Sequence, residues 1–234
     1  MDLRETVRKF AERELTDETV RAMDRESHWP HFRQFWSKLG SMSLLGVTAE
    51  SRFGGLGLGY FEHSLVVEEI ARRCPAIAVS YGAHSNPCVN QLALNATEDQ
   101  KRKYLPKLID GSHVGAMAIS EVDSGSDPMS MKTVARRHKD YYVLNGSKFW
   151  ITNASEADVV FVYAKTSDTG ITPFIVEKGM EGFRVSQHID KLGMRGSPTG
   201  ELLFNDCKVP VANMVGQVDE GVYVLMSGFD YERL

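Results

Sequence analysis

Two short segments carry the side chains best suited to chemistry. The first, residues 118–127, reads AISEVDSGSD, and the second, residues 145–153, reads NGSKFWITN. Each looks like an extended strand that ends in hydroxyl and aromatic side chains. Together they would form one wall of a site for a flat, polar ring system, which points to a flavin.

A glycine-rich run at residues 53–59, FGGLGLG, invites comparison with dinucleotide-binding loops. The comparison fails because Tyr60 and Glu62 stand where the last glycine of G-x-G-x-x-G is required. Neither a preceding strand nor a βαβ context is present. We therefore predict a loop between helices, and any dinucleotide must be bound without a Rossmann unit.

Composition indicates a globular protein with a real core. The 234 residues are 42% hydrophobic and 25% charged, which suffices for one large or two smaller domains. A formal net charge of −4 offers no attraction to nucleic acid or anionic lipid. No apolar stretch approaches the roughly 18 residues that span a bilayer. We expect no nucleic-acid partner and no membrane span.

Neither the cysteines nor the histidines suggest a metal site. The three cysteines, Cys74, Cys88 and Cys207, lie far apart without a C-x-x-C motif, and no H-E-x-x-H occurs. This usage favours a reducing compartment. The opening residues have neither the apolar core of a signal peptide nor a transit peptide's lack of acids. We therefore expect a soluble chain without a targeting segment.

Helical periodicity dominates the first half of the chain. Apolar spacing predicts four helices, around residues 3–11, 32–39, 61–70 and 76–96. Thr97 and Gln100 form a capping-box pattern that opens a fifth helix. Pro106 should kink or break that helix, because proline removes a backbone donor and clashes with the preceding turn.

From about Val114 the pattern becomes extended. Asn145-Gly146 predicts the type I′ turn of a β-hairpin, and further strands are expected over residues 159–163, 171–176 and 201–204. Their spacing is typical of a barrel or sandwich. A helical stripe then begins near Gly221. Three parts follow: a helical domain over 1–112, a β domain over 113–216, and a helix over 217–234.

Here the motifs resemble a known family. Residues 118–130 match the acyl-CoA dehydrogenase signature at every constrained position, and residues 149–153 and 191–197 are similar to further family segments in the expected order. Residues 80–86 and 221–228 resemble the isovaleryl branch. The resemblance implies an α+β fold with an N-terminal all-helical domain, an antiparallel β-barrel and the start of a C-terminal helix. It also implies that the family's C-terminal helical domain is missing.

The resemblance implies that FAD is the cofactor. By this resemblance, the Ser120 and Thr152 hydroxyls would contact the N5 and O4 edge of the flavin, and Trp150 would lie beside the ring. Ser126 would contact the phosphates or the acyl-CoA chain. The implied FAD-binding residues are Met117, Ile119, Ser120, Gly125, Ser126, Trp150, Ile151 and Thr152. The alternative for a lone tryptophan is an ordinary strand residue packed in a core.

Acid–base chemistry is assigned to the last helix. On a helical wheel Glu232 falls close to Leu225 and near Phe229, so its carboxylate would be partly desolvated and a stronger base once ionised. A frayed, solvated helix end is the alternative from the residues alone. The resemblance makes Glu232 the catalytic base. The implied substrate-binding residues are Ser126, Val79, Ala83, Tyr223, Asp230, Tyr231 and Arg233.

Taken together, the resemblance implies FAD-dependent dehydrogenation of isovaleryl-CoA to 3-methylcrotonyl-CoA, a step of leucine catabolism. Electrons would pass to electron-transfer flavoprotein, and the full-length form would be a homotetramer. A eukaryotic protein would lie in the mitochondrial matrix and a bacterial one in the cytoplasm. The alternatives are a related enzyme with another acyl preference or with oxygen as acceptor, and a non-catalytic fragment of the fold.

Overall fold

The computed structural model describes residues 2–232, the last three of them by their backbone alone. Its first half is helical. The helices are α1 Leu3–Glu14, α2 Asp17–Glu26, α3 Phe32–Ser41, α4 Tyr60–Arg73, α5 Pro75–His84, α6 Gln91–Asn95 and α7 Glu98–Ile109, and α8 Gly221–Glu232 follows the strands. A π-helical segment, Ser85–Asn90, joins α5 to α6. None of these described helices is long and apolar enough to cross a membrane.

Helix α7 confirms the predicted capping box but not a break at its proline. The Thr97 N–H donates to Gln100 Oε1 at 2.9 Å, and the Gln100 N–H donates to Thr97 Oγ1 at 3.3 Å. The helix continues through Pro106 to Ile109. A break was wrong because packing supports the helix on both sides of the proline: Tyr104, Leu105, Leu108 and Ile109 are all buried. The Asp110 N–H still closes on the Pro106 carbonyl at 2.9 Å.

Helix α2 was missed by the periodicity argument. Its sequence, DETVRAMDRE, buries a single side chain, Met23, so the apolar face is too narrow to stand out. The local signals were nevertheless present: Thr16 caps the helix by accepting from the Thr19 N–H at 3.2 Å, and Asp17 and Glu18 lie in the first turn.

The second half forms one seven-stranded sheet. Its strands are β1 Gly115–Ala118, β2 Val134–Arg137, β3 Tyr141–Thr152, β4 Val159–Lys165, β5 Ile171–Glu177, β6 Phe183–His188 and β7 Thr199–Pro210. One edge of β4 pairs with β5, and the other pairs with β1 and, at Val134 and Lys165, with β2. The order continues through β3 and β7 to β6.

The predicted α+β fold class is confirmed, and the pairing refines it. The sheet curls into a half-barrel. Strands β2, β3, β7 and β6 pair antiparallel, but β1 and β2 run parallel to β4. The sheet is therefore mixed rather than antiparallel throughout, because β1 reaches β4 after a crossover instead of a hairpin.

Asn145-Gly146 does not form a hairpin turn. Strand β3 runs straight through it, and the register with β7 shifts between Leu144 and Gly146. Gly146 has φ +142°, and a Cβ built there would lie 2.5 Å from Thr133 Oγ1. The Asn145 side chain pairs across the strands with Asp206 at 3.0 Å. The prediction was wrong because this dipeptide builds a β-bulge, which glycine also favours.

Buried polar side chains join the helical half to the sheet. His84 of α5 accepts from the Gly115 N–H at 2.8 Å through Nδ1 and reaches the Leu108 carbonyl at 3.1 Å through Nε2. Asn153, after β3, donates through Nδ2 to the carbonyls of Ser80 at 2.9 Å and Gly115 at 3.2 Å. Helix α5 is therefore fixed against β1 and the end of β3.

Candidate functional site

A pocket of about 840 Å³ lies between helices α4 and α5 and the edge of the sheet formed by β1 and β3. Ten of the residues predicted from sequence line it: Val79, Ala83, Met117, Ile119, Ser120, Gly125, Ser126, Trp150, Ile151 and Thr152. Its size falls in the range of sites for small molecules and cofactors. The structure thus brings the two sequence segments together and faces them with a helical wall.

Trp150 is the most prominent group of the sheet wall. Its side chain is 53% exposed, so the alternative of a tryptophan packed in the core is wrong. The register between β3 and β7 shifts between Lys148 and Ile151, and Trp150 has φ +59° in that bulge. A bulge re-aims a side chain out of the regular alternation of a strand. Here it exposes the indole in the pocket.

Hydroxyl groups lie beside the indole. Within the described part of the chain, the side chains of Ser120 and Thr152 have no hydrogen-bond partner, although both are partly buried. Ser120 is tied to the second segment through its backbone, because its carbonyl accepts from the Phe149 N–H at 2.8 Å. These hydroxyls are therefore available to a ligand.

The loop after Ser120 is shaped by its own backbone. The Glu121 N–H donates to the Ser124 carbonyl at 2.8 Å, and Ser124 Oγ donates to the Asp127 carbonyl at 2.8 Å. At its tip, a Cβ added to Gly125 would meet nothing within 4 Å, and Ser126 is exposed. An open glycine lets a ligand approach the backbone closely. With the exposed indole and free hydroxyls, the residues present fit a flavin.

The opposite wall is helical. Val79 and Ala83 lie on α5 with Pro75, Ala78 and Gly82, a set whose spacing of three and four residues marks one helix face. Val79 is 42% exposed even though it is apolar. These side chains are small and apolar, so this wall suits a short apolar acyl group better than a polar ligand group.

His63 of α4 is a polar member of the helical wall that sequence reasoning missed. Its Nε2 lies 2.7 Å from Ser85 Oγ, which itself donates to the Tyr81 carbonyl at 2.9 Å, so Nε2 is the donor. The ring stacks on Tyr81 with centroids 5.5 Å apart. Burial lowers the pKa of His63 to about 4, so the imidazole is neutral at pH 7.

Of the remaining predicted residues, the structure describes the side chain of Tyr223 alone. Tyr223 lies on α8, is 75% exposed and does not line the pocket. Glu232 is the last residue of α8, three positions after Phe229, which does line the pocket. The side chains of Asp230, Tyr231 and Glu232, and all of Arg233, lie outside what the structure describes.

Among the described side chains that line the pocket, one is acidic. Glu68 pairs with Arg4 at 3.0 Å, and about half of its side chain is exposed, so it is a solvated partner of an arginine rather than a candidate base. The described residues also contain no group of three or more histidine, cysteine or carboxylate side chains that would hold a metal ion. Glu68 is therefore the one carboxylate in the described lining, and it is already engaged in an ion pair.

Several lining residues carried no signal strong enough to find from sequence. His63 repeats with Val67 and Ala71 at helical spacing, a pattern that also fits an ordinary packed face. Asn86 enters through the π-helical segment, and Met194 through a loop where it has φ +54°. Their positions depend on contacts between distant parts of the chain.

Two family profiles match the chain. The profile for the acyl-CoA dehydrogenase N-terminal domain matches residues 1–112, and that for the middle domain matches residues 116–207. The chain belongs to the acyl-CoA dehydrogenase family. The pocket lies between segments of these two matched regions, with α4 and α5 on one side and β1 and β3 on the other.

Individual relatives agree with the family. The chain is 55% identical to the mitochondrial isovaleryl-CoA dehydrogenase of Pongo abelii, over 99% of this chain and 56% of the relative. It thus spans somewhat more than half the length of that curated relative.

Two solved structures are also similar. One is described as the electron transferring flavoprotein of Acidaminococcus fermentans, with 36% identity and a TM-score of 0.94, covering 99% of this chain and 61% of that one. The other is an acyl-CoA dehydrogenase complexed with FAD from Bacillus anthracis, with 32% identity and a TM-score of 0.92, covering 99% of this chain and 39% of that one.

Proposed function

We propose that this chain supplies the FAD wall and the acyl pocket of an isovaleryl-type acyl-CoA dehydrogenase, which converts isovaleryl-CoA to 3-methylcrotonyl-CoA. One observation carries the proposal: a single pocket places Ser120, Trp150 and Thr152 opposite Val79 and Ala83. The aromatic and hydroxyl wall suits a flavin, and the apolar wall suits a short branched acyl group.

On the cofactor side, the indole of Trp150 would pack beside the ring system and the Ser120 and Thr152 hydroxyls would donate to its polar edge. Ser126, at the exposed loop tip, would contact phosphate or the CoA chain with backbone N–H groups near Gly125. Bound FAD supplies the acceptor for the hydride that leaves the substrate β carbon.

Proton removal is assigned to Glu232. Its carboxylate would take the proton α to the thioester carbonyl while a hydride leaves the β carbon. The electron pair of the α C–H bond would form the new double bond, and the electron pair of the β C–H bond would leave with the hydride. Two observations support the choice. Helix α8 brings Phe229 to the pocket one turn earlier, and the acidic residue in the described lining, Glu68, is already paired with Arg4.

The partners and the location are proposed from the relatives. The similarity to a structure described as an electron transferring flavoprotein supports electron-transfer flavoprotein as the redox partner. A homo-oligomer, of tetrameric form in the full-length protein, is proposed from the family resemblance. The name of the mitochondrial relative supports a matrix location in a eukaryotic source. A bacterial source would place the protein in the cytoplasm.

The test joins residues 1–234 to the segment of the Pongo abelii relative that this chain does not match. This chimera should purify with stoichiometric FAD, and isovaleryl-CoA should bleach its visible flavin band under anaerobic conditions. Residues 1–234 alone should bind FAD weakly, because Ser120, Trp150 and Thr152 supply one wall. A colourless chimera would refute the cofactor assignment, and faster reduction by long straight acyl-CoA would refute the substrate assignment.

A further inference from the structure

A buried ion pair lies directly behind the sheet wall of the pocket. The side chain of Lys148 is fully buried, and its Nζ donates to Glu121 Oε1 at 2.8 Å and to the Ile119 carbonyl at 3.0 Å. The Glu121 carboxylate also accepts from the backbone N–H groups of Lys132 at 2.6 Å and Thr133 at 3.0 Å. Both charged groups therefore have several partners.

These partners bracket the groups that face the pocket. Ile119 and Glu121 are the two neighbours of Ser120, and both are held by the same ammonium group. Lys148 itself lies two residues before Trp150 on β3. The ion pair thus ties the segment that carries the Ser120 hydroxyl to the segment that carries the indole, beside the backbone bond from the Phe149 N–H to the Ser120 carbonyl.

The indole needs such support because its backbone is strained. Trp150 has φ +59°, which bulky L-residues rarely adopt and which persists when the surroundings hold it. Asn153 anchors the segment on one side through its bonds to Ser80 and Gly115. Lys148 anchors it on the other. The bulge that exposes Trp150 therefore lies between two buried polar side chains, Lys148 and Asn153, whose hydrogen bonds hold it in place.

Electrostatics keeps the pair charged. Burial lowers the pKa of Lys148 to about 8 against the pull of Glu121. Burial also opposes ionisation of Glu121, but the Lys148 ammonium and the backbone donors outweigh it and lower the pKa of this carboxyl. Desolvation makes a buried pair a poor source of stability, whereas its directional bonds fix geometry well. A positioning role accounts for the arrangement better than a stabilising one.

We propose that the Lys148–Glu121 pair is a positioning element that fixes the Ser120 hydroxyl relative to Trp150 and so preorganises the wall against which the ligand packs. The identity of that ligand as FAD rests on the proposed function above. We call the Lys148–Glu121 pair, together with its bond to the Ile119 carbonyl, the clamp. The clamp belongs to this chain, so its effect on the position of Ser120 can be measured without any ligand.

The experiment replaces both charges by uncharged groups of similar size, K148M/E121Q, because removing one partner alone would strand a buried charge. Amide hydrogen exchange of residues 1–234 is then followed at Phe149, whose N–H bonds the Ser120 carbonyl. We expect exchange at Phe149 to accelerate about 10- to 100-fold, with amides of the β4–β5 ladder unchanged.

An exposed ion pair beside the same loop provides the matched control. Lys132 Nζ lies 2.7 Å from Asp123 Oδ2, and both side chains are mostly exposed. K132M/D123N removes the same charges near Ser120 without touching the clamp. Exchange at Phe149 that is unchanged in K148M/E121Q, or that rises no more than in K132M/D123N, overturns the proposal.

The chimera with the Pongo abelii segment gives a second readout. At a temperature where K148M/E121Q is fully folded, its FAD dissociation constant should rise at least about 10-fold, and the visible band of bound flavin should change shape. Unchanged affinity and spectrum despite faster Phe149 exchange would show that the pair positions nothing for the flavin. A wild-type chimera that takes up no FAD refutes the proposed function. The exchange experiment would still show whether the Lys148–Glu121 pair holds Ser120 in position.

Discussion

His84 should make the stability of this chain depend steeply on pH in mild acid. Both ring nitrogens are engaged, Nδ1 by the Gly115 N–H and Nε2 by the Leu108 carbonyl, and the side chain is fully buried. Burial lowers its pKa from 6.5 to about 3. Protonation of Nδ1 would therefore break the hydrogen bond from the Gly115 N–H and place a positive charge in a site without solvent.

The sign and size follow from proton linkage. The unfolded chain binds a proton at His84 below about pH 6.5, whereas the folded chain does so near pH 3, so stability falls as pH drops between these values. At pH 4.5, two units below the unfolded pKa, the loss from this residue should be about 2.7 kcal/mol. That is a large share of the roughly 5–15 kcal/mol that stabilises a typical domain.

Urea unfolding of residues 1–234, followed by circular dichroism between pH 4.5 and 7.5, measures the effect. Carboxylates also titrate in this range, so the decisive quantity is the difference between wild type and H84Q, which lacks the titrating group. The exposed His138 supplies a matched control, H138Q. If the curves of wild type and H84Q run parallel, or if H138Q flattens the curve as much, the reasoning about His84 is wrong.

Three further outcomes are expected. G146A should lose about 1–3 kcal/mol in urea unfolding, because φ is +142° and the new Cβ would meet Thr133 Oγ1, whereas G193A has open space and should change little. E232Q in the chimera should bind FAD and isovaleryl-CoA but leave the flavin oxidised on anaerobic mixing; reduction at the wild-type rate would place the base elsewhere. V79L should narrow the pocket and lower kcat/KM for longer acyl-CoA more than for isovaleryl-CoA, with a difference in activation free energy of about 1–3 kcal/mol per misfit methylene. An equal loss for both substrates would show that Val79 does not contact the acyl chain.

The sheet wall was predictable because its information is local. Residues 118–127 and 145–153 each carry an ordered set of hydroxyl, glycine and aromatic side chains, and the structure places Ser120 and Trp150 on one pocket. The exposure of Trp150 was also predictable from a full signature, although periodicity alone would have packed it in a core. The physical device behind it, a bulge with positive φ, was not visible in the residues.

Long-range pairing explains where sequence reasoning failed. Asn145-Gly146 has the local preference of a type I′ turn, but the Asn145 side chain pairs with Asp206 of β7 and Gly146 packs on Thr133. Those contacts outweigh a local turn preference. His63 was missed for a related reason, since its role depends on Ser85 and on the π-helical segment, neither of which its own spacing reveals.

Close packing at one glycine links the described pocket to the proposed base. A Cβ on Gly228 would lie 1.5 Å from Gln91 Nε2, and Leu225 is fully buried. Helix α8 therefore meets the helical half at a fixed register, and this register brings Phe229 to the pocket. The proposed base, Glu232, is the last residue of the same helix, three positions after Phe229. The groups that bind and the group proposed to take the proton thus depend on one set of buried contacts between distant segments.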